Sequence, residues 1–132
     1  MSQGCMVASI SMMLSSLNIS AKPKDICGIN AKYDTDPSNC HRDKIASWYG
    51  CTQEAKSDYS YNTLEKYLDR YLSNPSKYSP PMIEVVGYSG PWHYIVVTGK
   101  NSNGEYKVLN PADSSDTVLS RTYTGWVCQF IK

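Results

Sequence analysis

Two adjacent prolines, Pro80 and Pro81, close a Ser79-Pro80-Pro81 cluster that divides this chain into two textures. Proline lacks the amide N–H and clashes with the preceding helical turn, so helical structure ends at such a cluster. Ahead of it, apolar residues recur at helical spacing. Behind it they fall in short stretches rich in Ile and Val. Helices first and an antiparallel sheet second is the α+β class, with a helical half packed on the strands. The 132 residues suffice for one domain, 1–132, and are too few for two ordinary ones.

In the helical half, Met6, Val7, Ile10, Met13, Leu14 and Leu17 form the stripe of a packed helix. Gly4 and Cys5 stand at its mouth. At about 100° per residue, Cys5 points away from the stripe, on the side of Ser9, Met12 and Ser16. A cysteine at a helix N-terminus meets the positive end of the dipole, which favours thiolate. The same position also suits a small packing residue in the first turn, and placement alone favours that reading.

From Ala21 to Tyr61 the pattern is irregular. Pro23 opens a short helical turn through Ile29, and Asp34, Asp36, Pro37, Ser38 and Asn39 read as loop. Arg42 to Trp48 reads as a second short helix, ended by Gly50. A clearer helix starts at Asn62, with Glu65 as its capping-box partner and Leu64, Tyr67, Leu68, Tyr71 and Leu72 on one face. Strands are expected at Met82–Tyr88, Trp92–Gly99, Glu105–Asn110 and Gly125–Ile131, with a weaker one near Val118.

Charge and composition exclude several functions. Thirteen Lys and Arg against twelve Asp and Glu leave a net charge of +1, which argues against a nucleic-acid binder. No stretch reaches the roughly 20 apolar residues of a membrane span, and no basic residue precedes the first apolar run as a secretory signal requires. Eleven Tyr and three Trp against one Phe suit a groove that holds a polar polymer or peptide, and equally a Tyr-rich globular domain. Location stays open, with an extracellular or virion-associated place inside a larger protein as one reading.

The cysteines Cys5, Cys27, Cys40, Cys51 and Cys128 are odd in number, so at least one is a free thiol within a single chain. A zinc site from Cys27, Cys40, His41 and Cys51 lacks the usual ligand spacing. A Cys40–Cys51 disulfide fits an oxidising compartment better. His41 lies in a polar loop and reads as solvated.

His93 opens the second strand and shares a face with Ile95 and Val97. With an even hairpin loop, Lys100 lies opposite Glu105 and Asn110 opposite Ile95, diagonal to His93. An odd loop or a bulge turns Asn110 away. In the even register an amide oxygen can orient an imidazole, as a Cys-His pair requires.

A cysteine opening a helix, a strand-borne His and an Asn on the next strand, in that order, resemble papain-like cysteine peptidases. The stretch Gly4-Cys5-Met6-Val7-Ala8-Ser9-Ile10-Ser11-Met12-Met13-Leu14 resembles the helix of the bacteriocin-processing (double-glycine leader) peptidases and their relatives in bacterial cell-wall enzymes and phage lysins. The segments His93-Tyr94-Ile95-Val96-Val97-Thr98-Gly99 and Gly104-Glu105-Tyr106-Lys107-Val108-Leu109-Asn110-Pro111 are similar to that family's second signature.

The resemblance implies a papain-like fold, with Cys5 as nucleophile, His93 as general base and Asn110 as third member, where this branch usually has Asp. Asp113 is the reserve for that third role. Gln3 and Trp92 are weaker candidates for the oxyanion and substrate contacts. The family's oxyanion Gln lies well upstream of its cysteine, which leaves three accounts: Gln3 takes its place, an N-terminal segment precedes this sequence, or the domain is impaired. The second is the expectation, since the strand expected before the catalytic helix is lacking. It implies peptide-bond hydrolysis through a thioester, with no metal and no organic cofactor. The expected substrate is the peptide cross-links of bacterial peptidoglycan, chosen over leader peptides because the chain has no transporter-like membrane segments. A non-cutting peptide- or wall-binding module and an acyl or amide transferase with the same Cys-His chemistry are the alternatives. A disulfide-bonded coat or tail protein is a third.

Overall fold

A computed structural model describes residues 4–36, 39–56, 61–85, 93–115, 117–119 and 123–132; the side chains of 61–63 and 123 are also outside the description. The elements run α1 (Gly4–Ser16), α2 (Pro23–Asn30), α3 (Arg42–Trp48), β1 (Thr52–Lys56), α4 (Tyr61–Leu72), β2 (Met82–Val85), β3 (His93–Lys100), β4 (Tyr106–Leu109) and β5 (Tyr123–Ile131). The five strands form one antiparallel sheet in the order β1-β5-β2-β3-β4.

Period and burial explain the helices. The stripe of α1 is buried at Met6, Val7, Ile10, Met13 and Leu14, and packs with Met82, Val96, Cys128 and Phe130 on one face of the sheet. The stripe of α4 buries Leu64, Leu68 and Tyr71 with Ile83, Val85, Ile95 and Val97 on the other face. The sheet is therefore buried on both sides along β3, which is why that strand reads as a near-continuous Ile/Val run. Helix α2 starts on Pro23, where the missing N–H costs nothing, and α3 ends before Gly50, whose φ of +76° suits glycine alone.

Three local expectations are corrected. Strand β1, in a region that reads as irregular, pairs with β5 from Thr52↔Ile131 to Lys56↔Val127. Its sequence Thr-Gln-Glu-Ala-Lys has the polar make-up of an edge strand, and its pairing partner lies at the far end of the chain. Helix α4 begins at Tyr61, which puts Asn62 inside the first turn; the expected capping box lies outside the described side chains. On the side of α1 that carries Cys5, Ser9 is wholly buried, Cys5 and Met12 are half-buried and Ser16 is exposed. The weaker strand near Val118 is a single bridge, Lys107↔Val118. No helix among the described residues is long and apolar enough to cross a membrane.

Candidate active site

The β3–β4 hairpin sets the site's register by two departures from regularity. Its pairs run Lys100↔Tyr106 and Gly99↔Lys107, then Val97↔Val108 and Val96↔Leu109, with the register shifting between Val97 and Gly99. Residues 101–105 form an odd loop, which by itself moves Asn110 out of register with Ile95. The extra residue at Thr98 is a bulge, and it moves Asn110 back. Loop and bulge cancel, and the expected opposition of Ile95 and Asn110 is reached by a different path.

The side chains follow from that register. His93 Nε2 lies 2.7 Å from Asn110 Oδ1, with both residues buried, at 7% and 6% exposure. Asn110 Oδ1 also accepts from the Ala112 amide at 2.9 Å, so the carboxamide oxygen is fixed at the turn that leaves β4. In the neutral imidazole this arrangement puts the proton on Nε2, donated to Oδ1, and the lone pair on Nδ1. Asp113, the reserve candidate, is exposed in the next turn, where its Oδ1 accepts from the Ser115 amide at 2.9 Å and the Ser115 hydroxyl at 2.6 Å.

Cys5 is half-buried in the first turn of α1, and no acidic residue shares that turn to offset the dipole. One helical turn on, Ser9 Oγ donates to the Tyr94 carbonyl at 3.3 Å, which ties α1 to β3 beside His93. Helical phase puts Ser9 on the side of Cys5, but its bond to Tyr94 is not legible in the sequence, because it depends on how α1 lies across β3. Gln3 and Trp92 lie outside the described residues.

Around Tyr94 the sheet carries a polar and aromatic shelf on the α1 side. The Tyr94 hydroxyl donates to Glu84 Oε2 at 2.9 Å, and the Thr124 hydroxyl donates to Glu84 Oε1 at 2.8 Å. The Tyr94 and Trp126 rings meet edge to face at 5.5 Å, and the Arg42 guanidinium lies 5.0 Å from the Trp126 ring. Burial first, then the bond to Glu84, push the Tyr94 phenol well above its ordinary range.

The other cysteines are of a different kind. All five are thiols, so Cys40 and Cys51 are not joined. Burial raises the Cys40 thiol to about 11 and the Cys128 thiol to about 12, and raises Cys51 as well. His41 is not simply solvated: its Nε2 pairs with Asp34 Oδ2 at 3.0 Å. Among the described residues no three His, Cys, Asp or Glu side chains are grouped to hold a metal ion.

The crystal structure of the peptidase domain of Streptococcus ComA, described as a bi-functional ABC transporter involved in a quorum-sensing pathway, has this fold. The TM-score is 0.66 over 99% of this chain and 93% of that chain, at 19% sequence identity. No protein-family model matches, and no curated protein matches by sequence. The α+β fold, a helical half that carries Cys5 packed on an antiparallel sheet, is thus shared with the ComA peptidase domain. The likeness is to a transporter's peptidase domain and lends nothing to the expected kinship with cell-wall enzymes or phage lysins.

Proposed function

We propose that the chain is a cysteine peptidase in which Cys5 is the nucleophile, His93 the proton carrier and Asn110 the residue that orients it. The observation that carries this reading is the 2.7 Å contact between His93 Nε2 and Asn110 Oδ1. It sits at the start of a strand that α1, with Cys5 at its mouth, covers at Tyr94 and Val96. His93 shares its face with Ile95 and Val97, the face away from α1, so this reading requires thiol and imidazole to meet around the end of β3 and not across its middle.

The Cys5 thiolate attacks the carbonyl carbon of a peptide bond, and the oxyanion faces the backbone N–H of Cys5 at the helix start. His93 Nδ1, having taken the thiol proton, gives it to the leaving amine as the C–N bond breaks. Water then attacks the thioester, His93 takes its proton, and the acid product leaves with the thiol restored. Asn110 keeps the proton of the neutral ring on Nε2 throughout and adds no charge.

The substrate on this reading is a peptide chain. The expectation of wall cross-links rested on the lack of membrane segments. That lack does not weigh between substrates, because the ComA domain of the same fold is itself one domain of a transporter. Wall peptides are therefore one arm of a substrate screen and not its premise.

The test is alkylation of each cysteine by iodoacetamide from about pH 5 to 9, mapped by peptide mass, in the native protein and in His93→Ala. Fast modification of Cys5 alone at pH 5 to 6, lost in His93→Ala, is the expected result. Cys5 reacting no faster than Cys40 or Cys128 would overturn the reading and leave a peptide-binding module.

A further inference from the structure

The shelf beside Cys5 carries a carboxylate that the proposed chemistry does not use. Glu84 is half-buried, and each of its oxygens accepts one hydroxyl, from Thr124 and Tyr94. Among the described residues no Lys, Arg or His pairs with it. Arg42, which stands over the Trp126 ring, directs its guanidinium to Gln53 Oε1 at 3.1 Å and Met6 Sδ at 3.7 Å. Each carboxylate oxygen has a further lone-pair direction beyond the hydroxyl it accepts among the described residues.

The backbone is shaped to present it. Strand β2 pairs with β5 as Ile83↔Val127 and then Val85↔Tyr123, so β5 carries extra residues in a bulge opposite Glu84. Gly125 within that bulge has a φ of +93°, a conformation a side chain would strain. The bulge re-aims Thr124 toward Glu84 and leaves Trp126 edge-on to Tyr94. Tyr94 joins this shelf to the nucleophile's helix, since its carbonyl takes the Ser9 hydroxyl.

We infer that Glu84 is the specificity carboxylate of the subsite next to Cys5, where it takes the cationic side chain, Lys or Arg, of a peptide substrate. The aliphatic stem lies along Tyr94 and Trp126 while the charged head reaches the carboxylate. This rests on the peptidase reading above and adds the substrate class.

The probes are acetyl-dipeptide chloromethyl ketones whose first or second residue from the reactive carbon is Lys or Nε-acetyl-lysine. The Cys5 sulfur displaces chloride to form a thioether, and the rate is read by mass. At one of the two positions the Lys reagent should modify Cys5 about tenfold faster than its acetylated twin, in keeping with a charge-assisted hydrogen bond. The ratio should fall as salt rises and approach one in Glu84→Gln. A ratio of one in the native protein at both positions, or one that survives Glu84→Gln, overturns the assignment. With the iodoacetamide result intact, either outcome removes Glu84 alone. A Cys5 that no reagent selects removes both readings.

Discussion

His93 Nε2 stands 2.7 Å from Asn110 Oδ1 across a hairpin whose odd loop and single bulge each reverse side-chain phase and together restore it. The contact is buried, and Oδ1 serves the Ala112 amide as well. Asn110→Ala therefore removes the orienting acceptor from the imidazole and a turn acceptor at once. Losing a buried hydrogen-bond partner costs about 1–3 kcal/mol. Turnover, or Cys5 alkylation in its place, should drop about ten- to hundredfold while circular dichroism stays native. An Asn110→Ala protein that keeps the native rate would place the orienting group elsewhere.

Ser9 should matter without touching substrate. It is wholly buried, and its hydroxyl is the polar tie between α1 and the Tyr94 carbonyl. Ser9→Ala gives up a hydrogen bond worth about 1 kcal/mol and leaves a small void. Thermal unfolding should fall by about 3–5 °C for a chain of this length. Alkylation of Cys5 should slow as well, because α1 no longer has its fixed seat on β3. A melting point lowered with an unchanged Cys5 rate would assign Ser9 to packing alone.

The loop between α2 and α3 should respond to acid. Asp34 accepts from His41 Nε2 at 3.0 Å, from the Asp36 amide at 2.9 Å and from Asn39 Nδ2 at 3.1 Å. The bond to His41 leads in holding its carboxyl below the ordinary 3.8. A carboxyl depressed by folding adds stability above its unfolded value and loses it as pH falls through the folded one. Exchange protection of the Asp36 amide, corrected for intrinsic rate, should therefore weaken below about pH 4. In Asp34→Asn that protection should already be low at pH 6 and show no acid step.

Sequence patterning made the helical half and the sheet legible because both rest on local periodicity. The stripes of α1 and α4, the Pro23 start and the Gly50 stop are written in neighbouring residues. Strand β1 was not legible, since its polar residues become a strand only by pairing with β5. The candidate triad was legible as residue types in order, and the register joining His93 to Asn110 was not. That register depends on a loop held open by Asn101 Oδ1, which accepts the Asn103 and Glu105 amides, and on a bulge that no residue at Thr98 announces. The Glu84 shelf escaped for the same reason. It is assembled from three strands and a helix that meet only in the fold.

Alkali should unfold the protein through its buried thiols. Burial holds Cys128 in its neutral form, raised from an ordinary 9.0 to about 12, and Cys40 likewise to about 11. Thiols raised by folding contribute stability that is complete below their unfolded value and lost as pH rises toward the folded one. The window thus opens near pH 9 and extends to about 12. Ionising Cys128 alone weakens the fold on the order of 4 kcal/mol, a large part of a typical domain's stability. Urea midpoints should be flat from pH 7 to 8 and fall steeply above 9. Cys128→Ala and Cys128→Val remove that thiol, so their midpoints should start lower and decline less over the same range. If the native protein and both variants declined in parallel, another group would set the alkaline limit.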